Sequence, residues 1–103
     1  MFIDGIDKVC LLDVNEAFER ISGYRSEEVV GRALSELGLF LDLHVLEQAR
    51  RRVREEGSYC KLESRIRKKS GEIITILSSA ERITLNGRLC SIGGAVNVTD
   101  RSR

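Results

Sequence analysis

Val14-Asn15-Glu16-Ala17-Phe18, followed by Ser22-Gly23-Tyr24-Arg25-Ser26-Glu27-Glu28-Val29-Val30-Gly31-Arg32, is the stretch on which the fold turns. A short apolar strand, Val9 to Leu12, runs into it. Asp13 or Asn15 caps the turn that follows, because a short side-chain oxygen accepts an N–H that every helix start leaves free. Glu16, three residues after Asp13, has the spacing of a capping box. Ala17, Phe18 and Ile21 give a short apolar face, which Gly23 ends by taking up a left-handed conformation. Ser26 caps a second turn, in which Glu27 and Glu28 complement the positive end of the helix dipole.

Upstream, Phe2-Ile3 reads as a clipped first strand before an Asp4-Gly5 turn signal. Downstream, Asp42 to Glu56 reads as a longer helix closed by Gly57, with Leu43, Leu46, Ala49 and Val53 on one buried face. The period then changes. Cys60, Leu62, Ser64 and Ile66 alternate with Lys61, Glu63, Arg65 and Arg67, as in a half-exposed strand. Lys69-Ser70-Gly71-Glu72 is a turn, and Ile73 to Ile83 is a second long strand whose register stays open, because both of its faces are apolar near Ile74 and Ile76. Asn86-Gly87 is a strong hairpin signal, since both central positions of a type I′ turn need positive φ. Leu89 to Val98 completes a third strand. Short helices followed by three consecutive antiparallel strands make an α+β layout.

The opening stretch resembles the front half of a PAS sensory domain. Gly57-Ser58-Tyr59 and Arg65-Ile66-Arg67-Lys68-Lys69-Ser70-Gly71-Glu72 resemble that family's helix exit and first long hairpin. The close, Asn97-Val98-Thr99-Asp100-Arg101, is similar to the family's Asp-Ile-Thr-Glu-Arg signature, with Asn97 where an Asp is usual. The order and spacing of these fragments, from Ile3 to Arg101, carry the resemblance.

The resemblance implies one PAS domain over residues 1–103, with a five-stranded antiparallel sheet and its first two strands beside the last. The longer helix would cross one face and enclose a small cavity. It further implies a sensory or regulatory module of a signal-transduction protein of the histidine kinase or nucleotide cyclase class, with the output domain beyond this chain. Asn97, Thr99, Asp100 and Arg101 would form the exit to that output, while Asn15, Gly23 and Gly31 shape the turns around the short helices.

Composition narrows the alternatives. At 103 residues with 42% hydrophobic and 32% charged content, the chain is one ordinary globular domain. No apolar run reaches the roughly 18 to 20 residues that cross a bilayer, and the N-terminus lacks a signal-peptide pattern, so cytoplasm is the simplest compartment. A net charge of +1 and 5% aromatics give no bias toward nucleic acid, and Arg50-Arg51-Arg52 fans around a helix instead of forming a stripe. Cys10, Cys60 and Cys90 have no metal-ligand spacing and read as small buried apolar residues.

His44, the sole histidine, lies away from the apolar side of its helix, which disfavours a haem ligand. No cysteine has the context of a flavin-adduct thiol, so flavin is disfavoured too and the cofactor is unknown. No catalytic motif is present, and Glu63 and Glu81 are the one cross-strand carboxylate pair to consider. If a small ligand binds, Ser64, Thr75, Ser79 and Ser91 orient it and Ile66, Leu77 and Ile92 form walls, with Gly93, Gly94 and Ala95 at the floor. A bare apolar sheet face tends to find a partner, so homodimerisation or exchange of the first strand is expected. A pure protein–protein dimerisation module remains the alternative.

Overall fold

The computed structural model of the protein describes residues 1–6 and 10–99. Val9, Asp100 and Arg101, each given a role by the sequence, lie outside the described residues. Two short strands come first, β1 (Phe2–Gly5) and β2 (Leu11–Val14). Helices α1 (Glu16–Ser22) and α2 (Ser26–Val29) follow, then a 3-10 turn over Leu34–Leu37 and the longer helix α3 (Leu43–Glu56). Strands β3 (Ser58–Arg67), β4 (Ile73–Leu85) and β5 (Arg88–Asn97) complete one antiparallel sheet in the order β2-β1-β5-β4-β3. This is the expected α+β architecture, a five-stranded antiparallel sheet with short helices and one longer helix.

The local signals act through the groups that the sequence singles out. Asn15 is the cap of α1: its Oδ1 accepts from the Phe18 N–H at 3.2 Å and from the Met1 ammonium at 2.7 Å. Asp13 instead accepts from the Val14 N–H. Gly23 ends α1 with φ 79° and donates its N–H to the Glu19 carbonyl. Ser26 is not the cap of α2. Its N–H donates to the Glu19 carboxylate at 2.7 Å, and Glu28 closes the start of the helix by accepting from the Arg25 N–H. Asn86 and Gly87 turn the β4–β5 hairpin with φ of 51° and 77°, as a type I′ turn requires.

Two bulges set which side chains face inward. In β2, Leu12 is the extra residue between the pairs Ile3–Asp13 and Asp4–Leu11. In β3, Cys60 and Lys61 oppose Ser79 alone between the pairs Tyr59–Ala80 and Leu62–Ser78, with Lys61 at φ 55°. A bulge re-aims the residues on its flank. Here it turns Tyr59 inward and leaves Cys60 exposed, so the strict alternation read from Cys60 to Ile66 starts at Leu62. Cys90 is buried and Cys10 half-buried.

The core lies between the inner sheet face and the helices. Leu11, Val14, Val29, Leu34, Leu39, Leu46, Ile66, Ile74 and Ile76 form its main cluster. A second cluster joins Ala49 and Val53 of α3 to Tyr59 and Ala80. Leu43, expected on the buried side of α3, is 55% exposed, because it is the first helical residue and lies beyond the sheet contact. The edge of β3 is covered: the Arg67 N–H donates to the Leu39 carbonyl at 2.7 Å, and Phe40 bridges to Ile66. Covering an edge in this way removes a template for unwanted pairing.

Candidate functional site

Strand pairing fixes the inner face, since directly paired residues point to the same side of a sheet. Ile76 pairs with Ser64, Ser78 with Leu62 and Ala95, Ala80 with Tyr59 and Gly93, and Asp4 with Ser91. Between this face and α3 lies a cavity of about 200 Å³. Its apolar part is walled by Phe2, Phe18, Ile21, Leu34, Leu39, Phe40, Leu46, Ile66 and Ile76. Its polar part is lined by Asp4, Arg50, Arg54, Tyr59, Ser78 and Ser91. A roomy apolar site with a few convergent polar groups is the usual form of a small-molecule site.

The polar end has an order of its own. The Tyr59 hydroxyl meets the Ser78 Oγ at 3.4 Å, and the Ser78 hydroxyl donates to the Leu62 carbonyl at 3.3 Å. Burial pushes the Tyr59 phenol up, partly offset by Ser78. Asp4 is only 6% exposed. Burial raises its carboxyl from an ordinary 3.8 to about 6, while the positive charge of Arg50 and its own backbone N–H pull the other way. Among the described residues, no ion pair or hydrogen bond from another residue closes on that carboxylate, which is met by its own backbone N–H. Arg51 and Arg52 pair with Glu55 and Glu56 at 3.9 Å, but Arg50 makes no such pair among the described residues. Asp4 and Arg50 thus line one cavity without forming an ion pair at contact distance.

Of the side chains singled out from the sequence, Ser64, Ile66 and Ser91 line the cavity, as do Gly94 and Ala95. Thr75, Leu77 and Ser79 do not: β4 runs in the opposite register, with Ile74, Ile76, Ser78 and Ala80 facing in. Ser79 instead accepts the Lys61 N–H of the bulge on the outer face. Ile92 pairs with Ile3 and Glu81 on that outer face as well. Gly93 faces inward but is sealed off, because a Cβ there would lie 2.4 Å from the Ser79 carbonyl oxygen and 2.7 Å from the Ala80 Cβ. Gly93 therefore serves the close approach of β4 and β5.

Asp4, Arg50, Tyr59 and Ser78 were missed. Asp4 followed by Gly5 reads as a turn, yet it pairs with Ser91 within β1. Arg50 is hidden within a basic run. Glu63 faces Leu77 and Glu81 faces Ser58 and Ile92, so those two carboxylates do not meet. His44 is exposed on the first turn of α3. None of the three cysteines lines the cavity.

The segment after β5 is tied to β4 by two bonds and to the end of β5 by a third. The Val98 N–H donates to the Thr75 carbonyl, the Thr75 N–H donates to Thr99 Oγ1, and the Thr99 N–H donates to Asn97 Oδ1, each at 2.9 Å. Gly31 takes φ 90° and donates its N–H to the Leu11 carbonyl at 2.7 Å, fastening the loop after α2 to β2.

The sequence profile described as PAS fold matches residues 11–96. Among solved structures, the chain is similar to a PAS domain of a two-component sensor histidine kinase, with 23% identity over 93% of this chain and 81% of that one, at a TM-score of 0.78. It is also similar to a PAS domain from Colwellia psychrerythraea, with 21% identity, coverage of 97% and 87%, and a TM-score of 0.80. A LOV domain of a blue-light activated histidine kinase from Erythrobacter litoralis gives 20% identity, coverage of 95% and 94%, and a TM-score of 0.76. No curated protein matches the chain.

Proposed function

Because the chain belongs to the PAS fold family, we propose that it is the sensory module of a larger signal-transduction protein and takes a small ligand between α3 and the sheet. The observation that carries this reading is the cavity of about 200 Å³, lined mostly by apolar side chains and by a buried carboxyl that no other described residue satisfies. A ligand there touches α3 and β5 together. Any spreading of the two reaches Asn97, Val98 and Thr99 at the end of β5, and so the exit that includes Asp100 and Arg101. The output domain fitting this reading is a histidine kinase or nucleotide cyclase, and the compartment is the cytoplasm.

The role that fits this reading is regulatory: among the described residues the charged and hydroxyl groups lining the cavity are those of Asp4, Arg50, Arg54, Tyr59 and serines, a set suited to holding a ligand. Its volume exceeds the roughly 150 Å³ of a cavity that accepts benzene and lies below the roughly 300 Å³ at which ligand pockets commonly begin. A one-ring or short aliphatic ligand suits it better than haem or flavin. The absence of a cysteine from its lining also argues against a flavin adduct.

Native mass spectrometry of freshly purified protein tests this. A reproducible added mass, lost on denaturation, is expected. A protein that carries no added mass and gains no thermal stability from any metabolite of matching size refutes the ligand-sensing reading.

The second reading, a homodimerisation module without a ligand, draws on the outer sheet face. Val96 is 54% exposed there, beside its partner Leu77, with Ile92 and Ile3 on the same side. An apolar sheet face of this kind favours association with a second copy. Light scattering on Val96→Glu distinguishes the readings: loss of a dimer with the ligand mass retained separates the two functions, and a wild-type monomer at high concentration removes the dimer.

A further inference from the structure

Resting on the ligand-sensing reading, we propose that the polar end of the cavity recognises a zwitterionic head, an ammonium beside a carboxylate, on a small apolar body. The ligand is then an apolar amino acid or a compound of the same chemistry. Asp4 takes the ammonium and Arg50 the carboxylate, while Leu34, Leu39 and Ile76 receive the side chain.

Three observations meet here. Asp4 is almost wholly buried and aimed into the cavity, yet no other described residue satisfies its carboxylate. Arg50 lines the same cavity and acts on Asp4 through its charge, but closes no ion pair among the described residues, unlike Arg51 and Arg52 on the same helix. Apart from Ser22 and Ser64 the remaining wall is apolar, which gives the body of a ligand somewhere to go.

Charge complementarity excludes the simpler alternatives. A plain ammonium would meet Asp4 but leave Arg50, which lines the same cavity, without an anion. A plain carboxylate would meet Arg50 but face the Asp4 carboxylate in a site where water screens little. A neutral ligand would cover the already buried Asp4 carboxylate and give it no ionic partner, which is costly. Only a head carrying both signs gives the buried Asp4 carboxylate a cation and the half-buried Arg50 an anion in the same cavity. The hydroxyls of Ser91 and Tyr59, beside Asp4 on the inner face, supply the neutral hydrogen bonds that such a head still needs.

Calorimetric titration of the purified chain with valine, leucine, methionine and phenylalanine is the test, followed by the decarboxylated and deaminated analogues of the best binder. For leucine these analogues are 3-methylbutylamine and 4-methylpentanoate. Binding of at least one amino acid is expected, at least about tenfold tighter than either analogue, because each lost charge-assisted bond costs that much or more. Asp4→Asn weakens the amino acid by at least about tenfold without weakening the deaminated analogue. Arg50→Gln weakens it similarly without weakening the amine. Circular dichroism checks that both variants fold.

Failure of all four amino acids to bind overturns the head-group assignment, as does an analogue that binds as tightly as its parent. If native mass spectrometry still shows a retained ligand, the sensing reading stands and only the ligand class falls. If no ligand is retained and no probe binds, both fall together.

Discussion

Replacing Asp4 with Asn in the ligand-free protein makes stability depend on pH in a way that reads the cavity directly. The carboxyl is raised from 3.8 to about 6 because burial disfavours its charged form. The folded protein therefore holds this proton more tightly than the unfolded chain does, and ionisation works against the fold. The penalty is absent below about pH 4, grows as pH rises toward 6, and is complete above that. At about 1.4 kcal/mol per pH unit between the two values, it amounts to about 3 kcal/mol at pH 8. The amide that replaces the carboxyl carries no charge, so the variant gains on the wild type by that amount between pH 3.5 and pH 8. A constant offset of about 1 to 3 kcal/mol, from the desolvated amide, is superimposed at every pH. Glu28, whose carboxyl is held down by its hydrogen bond to Lys69, titrates identically in both proteins and cancels in the difference. Urea unfolding of both proteins at pH 3.5, 5, 6, 7 and 8 gives that difference directly. The slope is the test and the offset is not. A difference that stays flat across the series shows that Asp4 is solvated like a surface carboxylate, and the account of the polar end then fails with it.

Three further outcomes follow from the geometry. Gly93→Ala forces a Cβ against the Ser79 carbonyl and Ala80, backbone and side chain that cannot swing aside, so a loss of about 1 to 3 kcal/mol is expected in denaturant unfolding; unchanged stability would show that β4 and β5 separate freely. Asn15→Ala removes the cap of α1 and lowers stability by about 1 kcal/mol, whereas Asn15→Ser restores most of it; equal loss in both would mean that the contact with the Met1 ammonium matters more than the cap. Thr99→Val deletes the acceptor of the Thr75 N–H, so amide exchange at Thr75 accelerates while exchange at Ile76 does not. Acceleration spread along β4 would place the anchor elsewhere.

Much of the fold was legible because its signals are local. Asn15, Gly23, Gly57 and Asn86-Gly87 are read from rules that involve only a few neighbouring residues, and each acts where the rule puts it. The change from a helical to an alternating period at Gly57 likewise marks the boundary between α3 and β3. The cavity was half legible. Ser64 and Ile66 belong to a strand with one polar and one apolar face, so alternation alone places them inward. In β4, Ile73, Ile74, Ile76 and Leu77 make both faces apolar, and a slip of one residue moved Thr75, Leu77 and Ser79 to the wrong side.

The order of the elements, the ends of the helices and the tight hairpin are written in the sequence, since capping, positive φ and hydrophobic period are properties of short segments. Tertiary structure alone decided which face of β4 looks inward and that Tyr59 replaces Cys60 at the helix side, because strand pairing and a bulge are agreements between distant segments. It alone also brought Asp4 of the first strand and Arg50 of the longest helix to one cavity. Residues 46 positions apart in the chain carry no mark of each other until the sheet closes, and a buried charge is indistinguishable from a turn residue until the surrounding protein has removed its water.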